Sequence, residues 1–282
     1  MHTEFPDLWS NVRTGGQAEI SEKTVETLLS LHSVASGEIR LMRMGKAAIP
    51  ALRSFLFRRE PSGIYQPRCA AVNVLLTLGA YAPLRDYLLH ESGATDPVEL
   101  MGDEAVINAA ARALSRVRKQ WVFQLLLDLA RSRSSAGIVE ALASFDRVEA
   151  IPVLLTALAE DDSGPVAQKA LARLDAAAYD PLITTALAPL PSARDESETS
   201  LRRRWRALEV LAEAQLSTKQ GRPLSVITAD CNPRLAYLAC KISLHFAEDK
   251  ERDRLVTRLN ELAAHADWIL AMEIEHCLQA GG

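Results

Sequence analysis

Ala150-Ile151-Pro152-Val153-Leu154-Leu155-Thr156-Ala157-Leu158, the turn Asp161-Asp162-Ser163-Gly164-Pro165, and then Ala167 through Leu174 form the stretch whose reading decides the fold. Ile151, Leu154, Leu155 and Leu158 keep the i, i+3, i+4, i+7 spacing that puts apolar side chains on one face of a helix. Ala167, Ala170, Leu171 and Leu174 keep it too. The acidic, Gly-Pro-containing turn between them ends one helix and starts the next. The result is a helical hairpin whose apolar stripes are broad enough to face a neighbour.

Working outward, the opening recurs. Ala48-Ile49-Pro50-Ala51-Leu52, Ala82-Pro83-Leu84 and Asp180-Pro181-Leu182-Ile183 each begin an apolar helix that is followed by a second. The interval of roughly 30–40 residues is the period of two-helix units stacked into a solenoid. The sets Ala71/Val74/Leu75/Leu78, Val122/Leu125/Leu126/Leu129 and Leu235/Leu238/Ala239/Ile242 carry the same stripe. We expect helix pairs at 21–31 with 36–44, 49–59 with 66–79, 82–91 with 103–118, and 120–131 with 134–145. Further pairs are expected at 150–160 with 165–175, 179–188 with 200–216, 222–229 with 233–246, and 250–265 with 267–279. The first helix of each pair is termed A and the second B.

Punctuation supports these bounds. Asp180-Pro181 and Asn232-Pro233 place a side-chain acceptor at an N-cap and proline at the first helical position. Gly79 stands where a left-handed residue ends a helix. Ser92 to Gly102, Pro189 to Ser200 and the shorter Pro61 to Gln66 read as lengthened A–B turns. Residues 1–20 read as an N-terminal cap or frayed segment and 21–280 as one continuous array, with Gln279 to Gly282 as a disordered tail.

Composition fits an all-α chain. The 282 residues are 48% hydrophobic but only 5% aromatic, and Leu and Ala carry the apolar content. No uncharged stretch reaches the length of a membrane span. The acidic start, Met1-His2-Thr3-Glu4-Phe5-Pro6-Asp7, lacks a basic region followed by an apolar one, so a cytoplasmic protein is expected. Cys69, Cys231, Cys240 and Cys277 form no CxxC pair and read as small buried apolar groups, with no metal or other cofactor expected. The net charge of −4 gives no global attraction to nucleic acid or anionic lipid.

The unit A-I-P-x-L-x-x-x-L, a short acidic turn, and V/A-x-x-A-L-x-x-L resembles HEAT repeats, specifically the short bacterial, lyase-type kind. The copies at Ala150 and Ala48 match best, and the resemblance covers about 45–280. It implies an all-α, right-handed α-solenoid of about seven to eight hairpins, with B helices lining the concave face, used as a binding scaffold.

Chemistry is sparser. The B helices carry Arg68, Arg112, Arg116, Arg118, Lys169, Arg173, Arg202, Arg203, Arg204, Arg206, Arg234 and Lys241. Glu140, Asp146, Glu273 and Glu275 interrupt this basic series. A cationic B face suits an acidic protein segment or a nucleic-acid backbone. Basic residues also stripe the solvated side of any helix. Arg112, Arg116, Lys169, Arg173, Arg203, Arg206, Arg234 and Lys241 are the candidate partner-binding residues. In Arg202-Arg203-Arg204-Trp205-Arg206 the tryptophan is expected in the core, with Leu201 and Leu208, and the arginines in solvent.

The same cluster resembles HEAT-like alkylpurine DNA glycosylases, whose concave tryptophan and a carboxylate four residues on cradle a damaged nucleotide. That resemblance places the roles on Trp205 and Glu209, with glutamate where the family typically has aspartate. His90-Glu91 is the sole His-Glu dipeptide, too few for a HEAT-type di-iron hydroxylase. No GxSxG, P-loop, HExxH or GxGxxG is present. The expected function is a non-catalytic scaffold for a protein partner. The alternatives are an alkylpurine-glycosylase-like or other nucleic-acid-binding protein, and a phycobilin lyase-like chaperone enzyme built from the same repeat.

Overall fold

The structure, a computed structural model, describes residues 19–280 apart from 31, 60–63, 134 and 193–194. Among these residues all regular structure is helical. Contacts divide the chain into two compact units, Met1–Ala141 and Leu142–Gly282. Most of the proposed N-terminal cap, and Gly281 and Gly282 of the expected tail, lie outside the described residues; Gln279 and Ala280 are helical.

The first unit holds α1 (19–26), α2 (Val34–Met44), α3 (Ile49–Leu56), α4 (Gln66–Thr77), α5 (Tyr81–Leu89), α6 (Pro97–Ser115) and α7 (Gln120–Ser132). The short α8 (Ala136–Ala143) crosses the boundary. The A helices α3 and α5 pack on their own B helices, α4 and α6, and the B helices α2, α4 and α6 pack in succession. That is the contact pattern of stacked hairpins. Leu52, Leu75, Leu84 and Leu114, all fully buried, seal the layers.

The second unit repeats the scheme. It holds α9 (Ile151–Ala157), α10 (Gly164–Arg173), α11 (Ala176–Leu187), α12 (Glu198–Ala212), α13 (Thr218–Gly221), a 3-10 segment (Arg222–Ala229), α14 (Pro233–Leu244), α15 (Asp249–His265) and α16 (Trp268–Ala280). The B helices α10, α12, α14 and α16 pack in order, each against its own A element. Leu154, Leu171, Leu182, Leu208 and Leu235, none more than 1% exposed, fill the space between.

Two features break from the sequence expectation at X-Pro steps. Pro181 does not start a helix: α11 already begins at Ala176, and Pro181 sits inside it. Ala176, Ala177, Ala178 and Tyr179 supply helix formers and core contacts ahead of the proline, and these outweigh the hydrogen bond that proline removes. Conversely, α6 starts at Pro97 rather than 103, within a stretch read as a turn. Asp96 caps it, its carboxylate accepting from the amides of Val98 at 2.8 Å and Glu99 at 3.2 Å. At Asn232-Pro233 the expected cap forms, with bonds from the amides of Arg234 and Leu235.

The ends of the B helices share a device. Gly45, Gly79, Arg118, Asp146 and Asp175, after α2, α4, α6, α8 and α10, all have φ between 51° and 69°. Gly79 is one that the sequence marks. At the three non-glycine positions the turn is imposed against a local cost of about 1 kcal/mol each.

Each unit also buries an arginine. Arg68 on α4 is 4% exposed, pairs with Asp103 on α6 at 2.7 Å and donates to the Tyr87 hydroxyl at 3.2 Å. Arg59 and Ser92 reach the other oxygen of Asp103, so one carboxylate ties together both flanking A–B turns. Arg204 on α12 is 6% exposed, pairs with Glu196 and Asp230 and donates to the Ala186 carbonyl at 2.8 Å. The expectation that the arginines of 202–206 fan into solvent around a buried tryptophan is therefore corrected. Ser200, Arg204, Leu208 and Leu211 hold the core phase, and Trp205 is only half-buried.

Candidate functional site

On the second unit, the face made by α10, α12 and α14 carries a row of linked polar side chains. Trp205 and Glu209 on α12 and Glu213 at its C-cap recur every four residues, so they project from one face. Glu209 is the centre. One oxygen accepts from Arg234 of α14 at 2.6 Å, and the other from the Gln168 amide of α10 at 3.0 Å. The Arg234 guanidinium also lies over the Trp205 ring, 5.4 Å from its centroid. Burial alone would lower the Arg234 pKa. The hydrogen bond and charge of Glu209, with Glu273 and Asp267 beyond, outweigh it and hold the group above the ordinary arginine value. One turn on, Lys241 of α14 pairs with Glu213 at 2.6 Å.

The remaining candidates are mostly engaged as well. Arg206 donates to the carbonyls of Leu158 and Glu160 and so closes the turn between α9 and α10. Gly164 leaves room for this: a Cβ there would stand 1.8 Å from an Arg206 guanidinium nitrogen. Arg173 pairs with Asp146 at 2.8 Å and donates to the Ala143 carbonyl at 3.0 Å. In the first unit Arg112 of α6 pairs with Glu140 of α8 at 2.6 Å. Glu140, read from sequence as a break in the basic series, is thus its partner. Arg116 and Lys169 are exposed and Arg203 is half-buried; among the described residues their side chains make no ion pair or hydrogen bond. Burial lowers the Arg203 pKa from its usual value.

Sequence reading picked out the cations and named Glu209, Asp146 and Glu140 without pairing them, while Gln168 and Glu213 were missed. The pairings gave no local signal, because each is made across a repeat.

The other candidate chemistry disperses. His90 packs edge-on against the Phe57 ring, 5.3 Å between centroids. No cluster of three or more His, Cys, Asp or Glu able to hold a metal occurs among the described residues. Cys240 is buried, and burial pushes its thiol up to about 11; Cys69 and Cys277 are half-buried and also raised by burial. Cys231, expected to be buried, is exposed in the turn ahead of α14. No helix among the described residues is long and apolar enough to cross a membrane.

No family model matches the chain, and no curated protein matches it. Among solved structures it is similar to human deoxyhypusine hydroxylase in complex with glycerol, at 15% identity and a TM-score of 0.35, over 95% of this chain and 98% of that one. It is also similar to a computationally designed armadillo repeat protein for modular peptide recognition, at 15% identity and a TM-score of 0.27, over 92% and 98%. The class follows from the hairpins themselves: this is an all-α helical-repeat protein.

Proposed function

We propose that the chain is a binding scaffold, and that the α10–α12–α14 face of its second unit takes a segment of a protein partner. The observation that carries this reading is Trp205. A half-buried indole is held under a guanidinium that Glu209 in turn pins, so both anchor groups are fixed before anything binds. Tryptophan and arginine are the residue types that contribute most at interfaces, and rigid ones lose least entropy on binding. Among the candidate cations of this unit, Lys169 and Arg203, whose side chains have no partner among the described residues, meet an acidic side chain without first giving up another.

The same arrangement weighs against the glycosylase-like alternative. Arg234 covers the indole face on which a nucleobase would stack, and both Glu209 oxygens are engaged.

The test is affinity capture from a lysate of the source cell with the wild-type chain and with Trp205→Ala and Arg234→Ala. Val226→Ala, at an exposed residue of the 3-10 segment, is the control. The proposal expects at least one protein retained by wild type and control and depleted about tenfold or more by both site variants. Identical captured sets would overturn it. So would labelled DNA or RNA whose binding depends on Trp205 and weakens steeply with salt.

A further inference from the structure

Of all the B helices, α6 has the most unusual beginning. Its core stripe starts only at Gly102 and Asp103, followed by Val106 and Ala110, all buried. The turn and a half before that is helical, capped by Asp96, and yet faces water with apolar side chains. Met101 is 71% exposed, Val98 52% and Leu100 43%. Val98 and Met101 stand three residues apart and so share a face, and Leu100 flanks them. Apolar groups out of phase with the core gain nothing from the fold, and a contiguous exposed set of this kind marks an interaction surface.

The charge along this stretch of chain is one-sided. Between Arg85 and Arg112 the chain has no lysine or arginine, while carrying Asp86, Glu91, Asp96, Glu99, Asp103 and Glu104. Asp86 pairs with Arg53 and Arg85, Asp96 caps the helix, and Asp103 is held by Arg59 and Arg68. Among the described residues the carboxylates of Glu91, Glu99 and Glu104 make no ion pair or hydrogen bond. Glu99 and Glu104 flank the apolar residues along α6 and Glu91 precedes them in the chain, so this segment carries negative charge that no ion pair among the described residues neutralises. A flexible methionine in an acidic segment adapts to varied apolar side chains while selecting for positive charge.

We infer that the projecting start of α6 is a docking surface for a basic amphipathic helix of a partner, distinct from the Trp205 face. The partner's apolar stripe covers Val98, Leu100 and Met101, and its lysines or arginines meet Glu91, Glu99 and Glu104.

The probe is a fluorescein-labelled 18-residue Leu/Lys amphipathic helical peptide, titrated with the full chain and read by anisotropy. A peptide with every lysine replaced by glutamate is the comparison. We expect the Lys peptide to bind at least tenfold more tightly than the Glu peptide. Met101→Asp should weaken it about tenfold or more, Glu99→Lys/Glu104→Lys should weaken it comparably, and Val226→Ala should leave it unchanged. Met101 and Glu104 are exposed and Glu99 is half-exposed, and far-UV circular dichroism checks that the variants fold. Equal binding of the two peptides, or no effect of Met101→Asp, would overturn the inference. So would a concentration-dependent dimer of the chain alone that Met101→Asp abolishes, because a second copy would then be the occupant.

Discussion

Replacing Arg204 with alanine should cost the second unit about 3 kcal/mol. The guanidinium bonds three acceptors: Glu196, Asp230 at 3.0 Å and the Ala186 carbonyl at 2.8 Å, at the end of α11. Leaving a buried carbonyl without a donor costs about 1–3 kcal/mol. Removing one side of a buried ion pair costs about 3–5 kcal/mol. Glu196 and Asp230 keep 20% and 17% side-chain exposure, so water recovers part of the loss, which sets the figure at the low end. The network also fixes the loop before α12, since the Ser200 hydroxyl donates to Glu196 and accepts from the Leu190 amide at 2.8 Å. Urea denaturation followed by circular dichroism gives the free energy, and amide exchange at Leu190 reports whether the loop has opened. The discriminating variant is Arg204→Met/Glu196→Gln/Asp230→Asn. Removing all three charges together should restore part of the loss, because no orphaned charge then remains while the Ala186 carbonyl still lacks its donor. A single-variant loss under about 1 kcal/mol, or a triple variant no more stable than the single one, would refute the reasoning.

Four further outcomes are expected. Gly79→Ala should lose about 1 kcal/mol in the same denaturation assay, because φ is +69° there. Gly137→Ala should lose about 1–3 kcal/mol, because its Cβ would stand 2.5 Å from the Asn108 Cα, backbone that cannot yield. Asp103 carries a pH dependence. Burial raises its pKa, but hydrogen bonds from Arg68 and Ser92 outweigh this and hold the carboxyl below its usual range. Its stabilisation is therefore present above the unfolded value of about 3.9 and is lost as pH falls through the lower folded value. Asp103→Asn should show a flatter acid limb than wild type, and parallel curves would exclude the assignment. With a thiol reagent at pH 8 under native conditions, exposed Cys231 should react first and Cys240 last, the order being read by mass spectrometry of the modified peptides.

The hairpins were legible because their signal is local. Ile151/Leu154/Leu158 and Leu235/Leu238/Ile242 repeat every three to four residues, and all are buried. The start of α6 was not, since Val98, Leu100 and Met101 do not extend the stripe of Gly102, Val106 and Ala110. An apolar residue off-phase with the core looks like a turn residue until its cap is seen. Arg204 was misread for a related reason. Helical phase places it inward with Ser200, Leu208 and Leu211, but a charge at a core position is foreign to a binary pattern. The carboxylates that hold the site lie beyond local reading. Arg234 and Glu209 are 25 residues apart, Arg173 and Asp146 27, and Arg112 and Glu140, like Lys241 and Glu213, 28. Those separations approach one repeat, so the partners meet only after stacking.

Such cross-repeat pairing changes what a basic B face can do. A pair exposed as far as Lys241–Glu213, at 30% and 77%, contributes only about 0–1 kcal/mol to stability. An incoming carboxylate can displace Glu213, but it gains only the difference between two similar bonds. The paired cations therefore add little affinity for an acidic ligand and mainly fix the register of successive hairpins. Arg116, Lys169 and Arg203 have no such internal competitor. On the second unit, Lys169→Glu and Arg203→Glu should reduce binding of an acidic partner segment more than Arg173→Glu or Lys241→Glu does, provided each variant keeps its stability. Trp205 is exempt from this compensation, because no internal exchange replaces the burial of an indole. Affinity on this face should therefore depend on the ring more than on the charges, with a correspondingly shallow dependence on salt.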